Sequence, residues 1–260
     1  MSGGGRNIGP CDKKSCRRPA RPRIAAALEA HQNTRLQQDA EEFTYRWGAV
    51  ACEVATGRTL ASKPDGCRGD RPSSPPADKS VALALLTAMF LHGSIDHLAG
   101  NMLFLWVFGS TVEDRLGRLN YLGLYLLGGM VATLGYVAFN VQSPIPLIGA
   151  SGAIAGVMGA YLVMYPRARI ILLVPLLFWP LFFTVPALVF LGYWFVIQVL
   201  SGGLGLAANT AEPGGIAFGA HVGGFIAGVA LHPLFVRRTP RRRQSDERSL
   251  ESAWQPRGLS

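Results

Sequence analysis

Gly149-Ala150-Ser151-Gly152-Ala153-Ile154-Ala155-Gly156-Val157-Met158-Gly159-Ala160 is a run of small and apolar residues with one hydroxyl near its start. A second run of the same kind, Gly219-Ala220-His221-Val222-Gly223-Gly224, carries one imidazole. Both read as membrane-embedded helix. The small-x-x-x-small spacings Gly152/Gly156 and Gly224/Gly228 let helix backbones approach closely in lipid. A polar side chain at membrane depth is costly, and an ionisable one there marks a functional residue by default. A serine and a histidine brought together by such helices suggest a nucleophile and its base.

The rest of the chain supports the membrane reading. Hydrophobic residues make up 49% of its 260 positions, and between Lys79 and Arg237 the only Lys or Arg residues are Arg115, Arg118, Arg167 and Arg169. This pattern predicts an all-α polytopic membrane protein. No cleavable signal peptide is visible, because Ala25 to Leu28 is too short for its apolar core. The formal charge of +9 collects in the N-terminal eighty residues and in a tail containing Arg237-Arg238 and Arg241-Arg242-Arg243. Anionic lipid headgroups explain the tail better than nucleic acid does. Cys11, Cys16, Cys52 and Cys67 precede the apolar region without paired C-x-x-C units, and they read as incidental thiols rather than a disulfide or metal site.

The chain divides into three regions. Residues 1–80 are a polar, basic segment, with 1–40 and Ser62 to Lys79 expected to be poorly ordered. Residues 81–236 form the membrane domain, and 237–260 a basic tail. About five spans are expected. The first begins near Val81, is interrupted at His92-Gly93-Ser94-Ile95-Asp96-His97, and resumes from Leu98 to Val112. Others run from about Leu119 to Phe139, Ile148 to Tyr165, Leu181 to Leu200, and Ile216 to Val236. Ile170 to Trp179, punctuated by Pro175 and Pro180, reads as interfacial or re-entrant. Because basic residues are retained on the cytoplasmic side, Arg115, Arg118, Arg167, Arg169 and the tail place the C-terminus in the cytoplasm and Ser151 toward the outside. The basic N-terminal segment then lies outside, against that rule. The Ala/Gly/Arg-rich style suggests a bacterial plasma membrane.

Serine-based peptide hydrolysis needs a hydroxyl, a base and donors aimed at the developing oxyanion. Ser151 and His221 fill the first two roles. His97 and Asn101 are four residues apart on one helix face, and the free first-turn N–H of Ser151 adds a third donor. No intramembrane carboxylate is suited to orient His221, which predicts a dyad and not a triad. Gly93 or Gly149 would loosen the loops over the site, and Gly152 would bring helices together. Neither metal, nucleotide nor other cofactor is implied.

These residues resemble the rhomboid intramembrane serine proteases, over roughly Thr87 to Leu234. His92, His97 and Asn101 are similar to the family's H-x-x-x-x-H-x-x-x-N pattern, Gly149-Ala150-Ser151-Gly152 to its G-x-S-G motif, and Ala220-His221-Val222-Gly223-Gly224 to its A-H-x-x-G motif. The resemblance implies a serine-type endopeptidase with Ser151 as nucleophile, His221 as general base, His97 and Asn101 as oxyanion donors, and His92 in support. It also implies substrates that are single transmembrane segments cut near their outer ends. The family core has six spans, one of them preceding the loop to His92. Here residues 1–35 are polar and Tyr45-Arg46-Trp47 resembles the loop after that span, so a truncated or wrongly started chain is expected. Where many members carry an aromatic one turn after the serine, this chain has Ala155, which leaves open how His221 is held. Tyr161 and Tyr193 are candidates.

Two other functions stay open. A rhomboid-like protein missing a span would bind membrane clients without cleaving them. A metal or proton transporter would use His92, Asp96, His97 and His221, although the internal repeat expected of one is absent.

Overall fold

The computed structural model describes residues 21–62, 67–68, 75–176, 179–207 and 217–236. It is an all-α membrane bundle. Helices α6 (Arg118–Phe139), α7 (Ser151–Met164) and α9 (Phe218–Phe235) pack together at its centre, with α8 (Ala187–Ala207) alongside α9. Lipid removes most of the hydrophobic incentive for helices to associate, so close backbone packing has to supply the contact. The sequence provides it: α7 is buried from Gly152 to Tyr161, and a Cβ on Gly156 would meet the Gly224 carbonyl oxygen at 3.3 Å and the Gly128 Cα at 3.5 Å. Phe108, Leu116, Leu124, Met158 and Leu191 fill the larger core around this crossing. The outer face of α8 leaves Leu188, Val189, Tyr193, Val196 and Leu200 exposed, as a lipid-facing surface requires.

Three helices, α6, α8 over Ala187–Leu204 and α9, are long and apolar enough to cross a membrane. The first expected span is broken. Helix α3 (Val81–Thr87) and a short 3₁₀ turn to Phe90 are bent by 81° from the Ile95–Leu116 segment. That segment comprises α4 (Ile95–Phe104), a π turn at Leu105–Gly109 and α5 (Ser110–Leu116). Ser94 stops the chain in extended conformation and caps α4, its hydroxyl accepting from the His97 N–H at 3.1 Å. The interruption expected at His92 to His97 is therefore a true helix break.

Helix α7 is shorter than the span expected from Ile148. Gly149 has φ +120°, a conformation that ends any helical path, so α7 begins at Ser151 and has 14 residues. Its rise of about 21 Å falls short of a hydrocarbon core of about 30 Å.

Three other expectations need correction. Residues 21–40 belong to a helix, α1 (Arg21–Trp47), rather than poorly ordered chain. Its Ala, Gln, Glu and Arg content favours helix even without a large apolar face. Residues 170–176 and Trp179, from the stretch read as interfacial or re-entrant, lie in an antiparallel hairpin, β3 (Arg169–Leu176) with β4 (Trp179–Pro186), whose β-branched and aromatic residues favour strand. The hairpin takes Leu181 to Pro186 away from the next span, which starts at Ala187. Finally, Cys52 and Cys67 are joined in a disulfide, with Cα atoms 5.4 Å apart. Residues 1–20, the tail 237–260 and the connection 208–216 lie outside the described residues, and with them Cys11 and Cys16.

The disulfide belongs to a clasp around the loop that precedes Ser151. Strand β1 (Ala49–Val50) pairs antiparallel with β2 (Pro146–Leu147). The Cys52 N–H donates to Ser143 O at 3.1 Å and the Arg68 N–H to Gln142 O at 2.8 Å. Helix α2 (Ala51–Thr56) carries Glu53, which is buried, accepts from the Leu60 N–H at 2.7 Å and forms an ion pair with buried Lys79. Burial holds the Lys79 ammonium below its ordinary pKa, with the Glu53 carboxylate opposing that shift.

Candidate active site

Ser151 is the first residue of α7 and His221 lies in the first turn of α9. His221 Nε2 and Ser151 Oγ are 2.8 Å apart, within hydrogen-bond range for proton transfer. This proximity follows from the glycine contacts between α7 and α9. Both side chains line a cavity of about 820 Å³, together with His97 and Asn101 from α4.

His97 and Asn101 flank the backbone just before the serine. A Cβ on Gly149 would sit 2.8 Å from His97 Nε2 and 3.8 Å from Asn101 Nδ2, so only glycine fits there. The Gly149 N–H donates to Ala88 O at 2.9 Å, which ties this loop to the broken first element. Asn101 is only 7% exposed, yet its Nδ2 has no hydrogen-bond partner among the described residues. A buried donor left without a partner is costly, and this one borders the cavity that holds the serine. His92 Nε2 is likewise buried without a partner among the described residues, and the His92 ring meets the His97 ring edge-on at 5.2 Å. Gly152 serves packing: a Cβ there would come 2.7 Å from the Ala132 Cβ of α6.

What holds His221 was not foreseen. Tyr161 packs on Phe108 at 5.1 Å, and Tyr193 is largely exposed on α8. The His221 ring instead contacts two other α8 residues. Trp194 lies 5.9 Å away between ring centroids, and Gln198 Oε1 is 2.8 Å from His221 Nδ1. Ala187, Leu191, Trp194 and Gln198 repeat at helical spacing on the inward stripe of α8. The signal was present: Gln198 is the sole amide in Leu181 to Leu200, and an amide at membrane depth invites the same question as a serine. The chemistry assembled is a hydroxyl, an imidazole hydrogen-bonded to it, and one buried amide donor, Asn101 Nδ2, without a partner among the described residues, all lining one cavity. Among the described residues, no group of three or more His, Cys, Asp or Glu could hold a metal ion.

Arg115, Tyr165, His232 and Val236 share a second cleft at the opposite end of the bundle. The ends of α5, α7 and α9 thus lie on one face, away from Ser151.

Comparison with known proteins gives this arrangement a family. Rhomboid protein 1, mitochondrial, of Saccharomyces cerevisiae is 30% identical over 177 residues, covering 66% of this chain and 46% of that protein. Rhomboid protease GluP of Bacillus subtilis is 36% identical over 147 residues, 56% of this chain and 25% of that protein. Presenilin-associated rhomboid-like protein A, mitochondrial, of Danio rerio is 37% identical over 108 residues, 40% of this chain and 28% of that protein. The chain spans less than half the length of each of these relatives. Residues 79–238 match the Rhomboid domain, more than half of the chain, and the chain belongs to the rhomboid family.

Proposed function

We propose that this protein is an intramembrane serine endopeptidase that cuts transmembrane segments of other membrane proteins with Ser151 and His221. Its main support is the 2.8 Å Ser151–His221 hydrogen bond inside a cavity that is also lined by His97 and by Asn101, whose Nδ2 is buried without a partner among the described residues. His221 Nε2 takes the hydroxyl proton as Ser151 Oγ attacks the scissile carbonyl carbon. The oxyanion that forms is met by the first-turn N–H of Ser151, by Asn101 Nδ2 and by His97, donors worth about 2.7–4 kcal/mol each in comparable sites. The tetrahedral intermediate collapses when His221 returns the proton to the leaving nitrogen, which leaves an ester on Ser151. Water, activated by His221 in turn, releases the acid.

The substrate must offer an unwound backbone, because a stable helix keeps its carbonyls in hydrogen bonds that lipid cannot replace. The cavity is where such a strand and the hydrolytic water meet. Residues 81–236 carry this activity, with residues 1–80 on the Ser151 side of the membrane and the C-terminus in the cytoplasm. The Cys52–Cys67 disulfide favours that orientation, since disulfides persist in oxidising compartments.

A fluorophosphonate probe, which captures only activated serine hydroxyls, tests the proposal in liposomes. Labelling is expected at Ser151 in the parent chain and absent in Ser151→Ala and His221→Ala. A folded chain without label at Ser151 would overturn it and favour a protein that binds membrane clients without cutting them.

A further inference from the structure

We infer that Gln198 is a positioning residue, which holds His221 in the tautomer whose Nε2 lone pair faces Ser151; this rests on the Ser151–His221 reading above. A neutral imidazole has one N–H and one lone pair, and only the tautomer with the proton on Nδ1 leaves Nε2 free to act as a base. The serine cannot choose between the two, because its hydroxyl both donates and accepts. The Gln198 carbonyl can choose. Its Oε1 lies 2.8 Å from His221 Nδ1 and only accepts, so Nδ1 must carry the proton and Nε2 must present its lone pair to the Ser151 O–H, also at 2.8 Å.

The surroundings suit that role. Gln198 is only 8% exposed on a helix whose neighbouring Val196, Ile197, Val199 and Leu200 are exposed on the lipid-facing side. A side-chain amide is costly at membrane depth, and it is tolerated here because its carbonyl is paired to the histidine. Where a triad would set a carboxylate on Nδ1, Gln198 sets an uncharged acceptor, which supplies the same geometry without a buried charge. Trp194, one turn earlier on α8, lies against the same ring at 5.9 Å and limits its rotation. Together they give His221 what the small residue Ala155 cannot.

The direct test is ¹⁵N NMR of histidine-labelled parent chain in proteoliposomes, with the His221 signals assigned by their loss in His221→Gln. Gln198→Met is near in size and lacks the acceptor, whereas Gln198→Glu keeps it. Nδ1 of His221 is expected to carry the proton in the parent chain and in Gln198→Glu, with the Nε2-protonated form becoming populated in Gln198→Met. Cleavage of a single-span reporter should fall in kcat by about 10-fold or more in Gln198→Met, with KM unchanged, and be retained in Gln198→Glu. A parent chain with the proton on His221 Nε2 would overturn the inference, whatever the variants do. So would a Gln198→Met chain with the parent tautomer and the parent kcat. Cleavage that survives Ser151→Ala would instead sink the protease reading, and the NMR result would still decide the role of Gln198.

Discussion

Replacing Gly224 with alanine should separate the two groups that meet at the site. Gly224 lies three residues after His221 on α9 and faces Gly152, the neighbour of Ser151. A Cβ at position 224 would lie 3.0 Å from the Gly152 carbonyl carbon, closer still to its oxygen, and 3.2 Å from the Ala132 Cβ. Interiors packed at this density have no slack to absorb a methyl group, so α7 and α9 must part locally by about 1 Å. The Ser151–His221 distance, 2.8 Å at present, then passes beyond about 3.5 Å, where the hydrogen bond is lost. Overpacking of this kind costs about 1–3 kcal/mol, and a displacement of about 1 Å at reacting groups costs about 100-fold in rate. Gly192→Ala on α8 is the control, since a Cβ there meets nothing within 4 Å. Cleavage of a single-span reporter in liposomes, measured alongside thermal unfolding, reads both effects. Gly224→Ala should lose most activity and some stability while Gly192→Ala keeps both. Parent-level cleavage and an unchanged Tm in Gly224→Ala would refute the idea that glycine contact sets the Ser151–His221 distance.

Asn101→Ala should lower kcat by about 100- to 1,000-fold while leaving Tm unchanged or raised, because the lost amide has a buried donor with no partner; a large fall in Tm would make Asn101 structural. Removing the disulfide with Cys52→Ser and Cys67→Ser should cost about 3 kcal/mol for a loop of this length, where the bonded residues are 15 apart in sequence, and denaturant unfolding of the variant against the parent measures it. Lys79→Met should destabilise by about 3–5 kcal/mol by leaving Glu53 buried without its cation, and adding Glu53→Gln should recover most of that loss. Since burial lowers the Lys79 pKa in the folded state, the unfolded chain binds more protons over the alkaline range below the ordinary lysine value, and the Lys79 contribution to stability rises with pH there. Lys79→Met should flatten that slope, and an unaltered slope would contradict the assignment.

Much of the site was legible because its chemistry sits in residues that apolar sequence rarely carries. Ser151, His221, His97 and Asn101 stood out against lipid-facing surroundings, and the glycines beside them pointed to close helix contact. The break at His92 to His97 was also visible, since Gly93 and Ser94 interrupt helix and Ser94 can cap the helix that starts at Ile95. Gln198 was passed over because one amide in a long apolar run looks incidental until the helix phase is known. Only the phase of α8 turns it toward His221. The Cys52–Cys67 bond could not be read from spacing, because it depends on how residues 49–62 and 67–68 fold against the loop at 140–148. The β3–β4 hairpin was hidden for a related reason: a continuous apolar run fits either strand or membrane helix, and cross-strand pairing decides between them.

The most direct test of the central proposal is cleavage of a tagged single-span reporter in liposomes by the parent chain, Ser151→Ala and His221→Ala. Cleavage by the parent and its loss in both variants is the expected result. Equal cleavage by all three, or none by a folded parent chain, would contradict the assignment of Ser151 and His221 as nucleophile and base.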